Sequence, residues 1–273
     1  MMTDKINNAI RILQIAAKEA GMYNEPVEIA YSGGKDSDCL LQLAREAGIP
    51  YRAIYKNTTI DPPGTIQHCR ANGVEIMHPK QSFFEMIKKH GFPSFRFRFC
   101  CAYLKEYKIL NVAAWGVRAD ESNARAKRYT TESFCRTYKK GEKVSVYTPL
   151  YNWTLEDVVS YIESRNLKLA PHYYDADGNP DYNRRLGCIG CPMAYNKARE
   201  FLTNKNFLRA YLHAGQKWCD THPHALFADV YELFVYRVFY RKTINYKMDY
   251  SNNTLFGKPN AKNLIENYFD IKL

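Results

Sequence analysis

The sequence predicts an α/β protein, a parallel twisted sheet with helices on both faces, followed by a helical C-terminal portion. Three observations carry that prediction. Short β-rich runs alternate with helix-period runs between residues 27 and 117, the pattern that right-handed βαβ crossovers produce. A Gly-Gly turn follows the first of those runs directly. After Lys140 the texture changes, and from residue 194 to about residue 240 the chain is helix-patterned and crowded with aromatics.

In chain order, Ile6, Ile10, Leu13, Ala16, Ala17 and Ala20 fall at helical spacing, and Gly21 stops the run. Residues 27–32 read as the first strand, broken at Gly33-Gly34. Leu40, Leu41, Leu43, Ala44 and Ala47 give a helix from 36 to 48. Residues 51–55 and 74–77 read as strands, separated by the loop Asp61-Pro62-Pro63-Gly64 and a short helix through His68. Phe83, Phe84 and Ile87 mark a further helix, and residues 112–117 and 144–150 further strands. Thr154-Leu-Glu-Asp157 has the cap residue and acidic first turn of a helix, which continues through Val158, Val159 and Ile162. The expected division is an α/β domain over 1–195 and a mainly helical extension over 196–273, packed on it.

Lys and Arg total 39 against 28 Asp and Glu, so the formal charge of +11 directs attention to anionic partners, nucleotides or nucleic acid. Ordinary apolar and charged fractions exclude wholesale disorder. No run approaches the ~18 apolar residues of a membrane span, and the N-terminal residues lack the layout of a signal peptide. The expectation is therefore a cytoplasmic protein with no membrane partner. In that reducing setting, closely spaced cysteines read as metal or redox sites rather than disulfides.

Ser32-Gly33-Gly34-Lys35-Asp36-Ser37 lies between a strand and a helix, where backbone N–H groups can close on an oxyanion at the helix N-terminus. The glycines allow close approach, Lys35 adds a charge, Ser32 and Ser37 add hydroxyls, and Asp36 fits either a helix cap or a Mg²⁺ ligand. A plain tight turn would need the glycines and a capping residue but not the lysine and both serines. The spacing is not that of a Walker A loop.

S-G-G-K-D-S after the first strand resembles the pyrophosphate loop of the N-type ATP pyrophosphatases. Gly116-Val-Arg118-Ala-Asp-Glu121-Ser122-Asn-Ala-Arg125-Ala and Pro149-Leu150-Tyr-Asn-Trp153-Thr154-Leu-Glu-Asp157-Val resemble segments of the phosphoadenylyl-sulfate (PAPS) and adenylyl-sulfate (APS) reductase family, in family order. The resemblance spans residues 25 to 195. It implies the adenine nucleotide alpha-hydrolase-like fold and an adenine nucleotide (ATP, APS or PAPS) bound by residues 32–37, Thr58, Asp61, Arg118, Glu121 and Ser122. Arg118 and Arg125 suit sulfate or phosphate because guanidinium forks bind oxyanions bidentately. With Lys35 and Asp36 they are the expected catalytic residues.

Cys100-Cys101 and Cys188-Ile-Gly-Cys191 have the spacing of a soft S₄ metal set, with Arg96, Arg98, Arg184 and Arg185 beside them. In the resembled family this pattern implies a [4Fe–4S] cluster; zinc in the same set and Cys135 in place of one vicinal cysteine are alternatives. Cys39 and Cys69 read as packing residues, and Lys105 as a cluster or substrate contact or a surface lysine. The sequence departs from the reductases at its end, where their cysteine-bearing segment has no counterpart. The nearest candidate is Cys219 in Trp218-Cys219-Asp-Thr-His222, a weak one. The loop is also intact, as in enzymes that cleave ATP.

Three functional readings follow. The leading one is an oxidoreductase or transferase acting on adenylyl-activated sulfur with a thiol or electron donor. The second is a Mg²⁺- and ATP-dependent sulfurtransferase acting on nucleic acid, either tRNA thiolation or DNA phosphorothioation. The third is a non-catalytic iron–sulfur binding module. The basic aromatic stretch Tyr231, Phe234, Tyr236, Arg237, Phe239, Tyr240, Arg241 and Lys242 fits either a nucleic-acid surface or, preferably, an amphipathic helix with a core stripe.

Overall fold

Strands of three to six residues, the first three entered from a glycine- or proline-bearing turn, build a six-stranded sheet in the computed structural model. The structure describes residues 2–128, 132–138, 141–194, 197–223, 227, 229–239 and 260–273. The expected boundary at 195/196 and residues Tyr240, Arg241 and Lys242 lie outside the described residues.

The strands are β1 (Val27–Tyr31), β2 (Tyr51–Lys56), β3 (Glu75–Met77), β4 (Val112–Trp115), β5 (Ser133–Thr137) and β6 (Lys143–Tyr147), in the order β3-β2-β1-β4-β6-β5. Neighbours pair in parallel, in register Val27↔Tyr51 and Glu28↔Ala113, except that β5 runs antiparallel to β6 at the edge. The sequence pattern predicts no strand at β5. Its exposed Ser133, Cys135 and Thr137 alternate with half-buried Phe134 and Arg136, so only hydrogen bonding to β6 reveals it.

The helices in order are α1 (Met2–Met22), α2 (Lys35–Glu46), α3 (Thr65–Ala71), α4 (Phe83–His90), α5 (Phe99–Leu104), α6 (Asn123–Arg128), α7 (Leu155–Ser164), α8 (Lys197–Leu202), α9 (Lys205–Thr221), α10 (Val230–Phe234) and α11 (Ala261–Phe269). Thr154 starts α7 with a full capping box, accepting from the Asp157 amide at 3.2 Å while Asp157 accepts from the Thr154 amide at 2.7 Å. Lys5 of α1 also pairs with Asp157, which ties the cap to the first helix.

Two compact units emerge. The first contains residues 1–57, 61–79 and 104–186 and holds the whole sheet. Its core joins Leu13 and Ala16 of α1, Ile29 of β1, Leu40 and Leu43 of α2, and Trp153 and Tyr161, all buried. The second contains residues 58–60, 80–103 and 187–273. Its core is aromatic: Phe83, Phe92, Phe201, Tyr211, Phe234 and Phe269 are all buried, with Phe92 stacked on Tyr211 at 4.6 Å. Phe234 of the basic aromatic stretch is thus a core residue.

Candidate functional site

From β1 the chain moves outward to β2 and β3, then returns to the other side of β1 as β4. This reversal makes a topological switch point, and the crevice at the C-terminal ends of β1 and β4 is where such sheets bind ligands. Residues 32–37 leave β1 there, and Gly116 to Arg118 leave β4. The two segments touch: a Cβ on Gly116 would sit 3.1 Å from the Asp36 carbonyl oxygen, so glycine permits this approach.

Gly33 takes φ +77°, and a Cβ there would meet the Thr65 methyl at 3.0 Å. Gly34 is the N-cap of α2 and offers no side-chain cap, leaving the positive end of the helix dipole to the loop. The Ser37 hydroxyl donates to the Gly34 carbonyl at 2.7 Å, and Ser32 and Ser37 hydroxyls lie 3.2 Å apart. The Lys35 amide donates to the Tyr173 hydroxyl at 3.2 Å; burial pushes that phenol up to about 12. Tyr173, 138 positions from Lys35, carries no sequence signal that could have placed it here.

Asp36 does not cap α2. One carboxylate oxygen accepts from Arg118 Nε at 2.5 Å and the other lies 3.6 Å from Lys35 Nζ. Arg118 is buried and also reaches Asp120 at 3.0 Å. Burial opposes its charge, but Asp36, Glu121 and Asp120 outweigh that and raise its pKa. Glu121 pairs with Arg125 and lies 3.6 Å from Arg185, so one carboxylate orients two partly exposed guanidiniums. The Ser122 hydroxyl accepts from the Arg125 amide at 3.2 Å and so shapes the start of α6. Asp61 accepts from the Tyr55 hydroxyl, with Lys105 Nζ at 4.0 Å. The first unit thus gathers the loop, Arg118, Glu121, Ser122 and Arg125.

Thr58 and the four cysteines belong to the second unit. Cys100 and Cys101 lie on α5. Cys188 donates to the Thr58 hydroxyl at 3.5 Å, and Cys191 closes a turn back to the Cys188 carbonyl at 3.2 Å. Gly190, at φ +70°, packs where a Cβ would fall 2.5 Å from the Phe201 ring. Its amide donates to Glu200 at 2.7 Å, and burial pushes that carboxyl up to about 7. The hydrogen bond with Cys101, burial, and the nearby charges of Cys101 and Cys188 raise the Cys100 thiol. Among the described residues no group of three or more Cys, His, Asp or Glu side chains is drawn together tightly enough to hold a metal ion. The donor chemistry nevertheless fits a soft metal, since the repulsion among Cys100, Cys101 and Cys188 is what a bound cation relieves.

Cys135 is exposed on β5 in the first unit. Cys219 is half-buried within α9, and burial raises its thiol pKa; His222 stacks on Trp218 at 5.2 Å. Cys39 and Cys69 are fully buried. Among the described residues no helix is long and apolar enough to cross a membrane.

Residues 26–194 match the phosphoadenosine phosphosulfate reductase domain. An uncharacterized protein of Methanocaldococcus jannaschii is 25% identical over 217 residues, covering 72% of this chain and 47% of that protein. Sulfate adenylyltransferase subunit 2 of Shewanella putrefaciens is 27% identical over 217 residues, covering 60% of this chain and 65% of that protein. The chain therefore spans 47% to 65% of the length of these relatives. Among solved structures, a PAPS reductase from Candida auris aligns at 18% identity and TM-score 0.41, over 60% of this chain and 82% of that one. A tRNA thiolase from Methanococcus maripaludis, solved with its [4Fe–4S] cluster, aligns at 17% identity and TM-score 0.38, over 80% of each chain.

Proposed function

Because the chain belongs to the phosphoadenosine phosphosulfate reductase domain family, we propose that it is an enzyme of sulfur metabolism that binds ATP on the loop 32–37 and adenylylates an acceptor. The observation that carries this reading is the intact loop at the switch point: a left-handed Gly33, a glycine N-cap on α2, Lys35, two serine hydroxyls, and Asp36 held by Arg118. A site for adenylyl sulfate has no need of β- and γ-phosphate contacts. The name of the Shewanella relatives supports the same reading.

The loop amides and Lys35 bind the pyrophosphate portion, and the α2 dipole adds to their pull. Asp36 would hold Mg²⁺ as a single carboxylate alongside phosphate oxygens, the usual arrangement for that ion, which supplies neutralisation of the phosphate charge. Arg125 and Arg185, oriented by Glu121, bind an oxyanionic acceptor. An acceptor oxygen forms a bond to the α-phosphorus, the bond to the bridging oxygen breaks, and pyrophosphate leaves with the electron pair. Cys100, Cys101, Cys188 and Cys191 would hold a [4Fe–4S] cluster or zinc; a cluster supplies electrons or a Lewis-acidic iron for the sulfur step.

Reduction of adenylyl-activated sulfur is the second reading, favoured by the Arg125–Glu121–Arg185 arrangement and the cysteine set. The setting of Cys219 inside α9 weighs against it as the nucleophile. Anaerobic incubation with ATP, APS or PAPS decides. Release of pyrophosphate and AMP-containing product from ATP supports adenylylation, whereas sulfite from APS or PAPS without ATP cleavage overturns it.

A further inference from the structure

Between α4 and α5 the chain makes a tight turn closed by reciprocal backbone bonds, Phe97 N–H to Ser94 O at 3.2 Å and Ser94 N–H to Phe97 O at 3.1 Å. The Ser94 hydroxyl accepts from the Phe97 amide as well. Such a closed turn costs little further entropy when a ligand lands on it. Its side chains are unusual for a surface. Phe95 is 67% exposed and Phe97 52%, alternating with exposed Arg96 and Arg98. Tyr103, 56% exposed on α5, lies parallel to His90 at 6.0 Å, and His90 meets the edge of Phe97 at 6.1 Å.

Phe97 and Tyr103 flank the His90 imidazole and Phe95 lies two positions before Phe97, so three exposed rings share one segment, and that segment is rich in cations. Residues 80–103 hold Lys80, Lys88, Lys89, Arg96 and Arg98 against the single acid Glu85. That combination, aromatic faces set among lysines and arginines, matches the chemistry of unstacked bases on a phosphate backbone. A duplex hides its base faces and offers only phosphates to such a surface. We propose that the turn 94–97 and Tyr103 form a stacking platform for single-stranded nucleic acid. The strand would lie on the same short helix that carries Cys100 and Cys101. The proposal concerns binding alone and does not depend on the adenylylation reading.

Fluorescence anisotropy of the full chain with a fluorescein-labelled single strand of about ten nucleotides, RNA or DNA, tests it. Phe95→Leu/Phe97→Leu keeps the apolar bulk and removes the stacking faces; Phe95→Leu alone changes only the most exposed ring. We expect salt-sensitive binding that weakens at least about tenfold in the double variant and less in the single one. An unchanged melting temperature and an unchanged far-ultraviolet circular dichroism spectrum show that the variants are folded. The proposal is overturned if the natural chain does not bind the strand, if the leucine variants bind it equally, or if a duplex competes as well as a single strand. Capture by phosphatidylcholine–phosphatidylserine vesicles, retained by the leucine variants, would instead identify a membrane-surface patch and equally overturn it.

Discussion

Three glycines of the first unit grade the cost of one methyl group by their surroundings. Gly33 combines φ +77° with a methyl neighbour at 3.0 Å, Gly73 has φ +70° with nothing within 4 Å, and Gly21, in the last turn of α1, has neither constraint. Gly73→Ala then costs only the left-handed backbone, about 1–2 kcal/mol. Gly33→Ala costs that plus the displacement of Thr65, and Gly21→Ala stabilises by about 0.4–1 kcal/mol through the unfolded chain. At about 2–4 °C per kcal/mol for a chain of this size, calorimetry should rank the melting temperatures Gly21→Ala, natural chain, Gly73→Ala, Gly33→Ala from high to low. Adding Thr65→Ser, which removes the crowded methyl but keeps the hydroxyl that donates to Pro62 at 2.7 Å, should return Gly33→Ala toward Gly73→Ala. ATP binding by isothermal titration should fail only in the Gly33 variants. If Gly33→Ala melts no lower than Gly73→Ala, the close packing of the loop on α3 is refuted, and if it binds ATP normally, the role of the loop in binding is.

Arg118→Lys keeps a charge but cannot reach Asp36 and Asp120 together; losing one charged hydrogen bond of about 1.5–3 kcal/mol should weaken ATP affinity about tenfold or more in the same titration. Thr154→Ala should cost about 1 kcal/mol in urea unfolding by removing the α7 cap. Asp157 is partly buried, which opposes its charge, but bonds from Lys5 and Thr154 hold its pKa below the ordinary value. Its stabilisation is therefore full above the unfolded pKa and is lost as pH falls through the lower folded one, so Asp157→Asn should flatten the acid limb of the stability profile below about pH 4. Cys188→Ser or Cys191→Ser should abolish the visible absorbance of anaerobically purified protein together with its iron; a colourless natural chain carrying zinc would assign the site to that metal.

Local chemistry made part of this molecule legible. The alternation through β4, the glycine turn after β1 and the Thr154–Asp157 box each depend on residues within a few positions of one another. β5 escaped because a polar edge strand is specified by its partner rather than by its own pattern. The loop residues could be read, but not what packs on them: Tyr173 and Thr65 approach from segments distant in sequence. Asp36 fitted a helix cap as well as an ion ligand, and only the pairing with Arg118 removed the cap. The cysteine spacing likewise gave no hint of Glu200 and Phe201, which brace the Cys188–Cys191 turn from α8.

The chain passes from one compact unit to the other after residues 57, 60, 79, 103 and 186, and this itinerary sets a schedule on the ribosome. Phe83 of α4 rests on Tyr211 of α9 at 5.9 Å. At ~5–20 residues per second, the earlier ring emerges roughly 6–25 s before its partner exists. Cys100 and Cys101 wait a comparable time for Cys188 and Cys191. The sheet can close once β6 is made, whereas the second unit stays open until α11 delivers Phe269 to Phe201 and Phe234. A nascent chain of this kind exposes thiols and phenylalanines together late in synthesis, which makes that interval its point of greatest exposure to oxidation and aggregation.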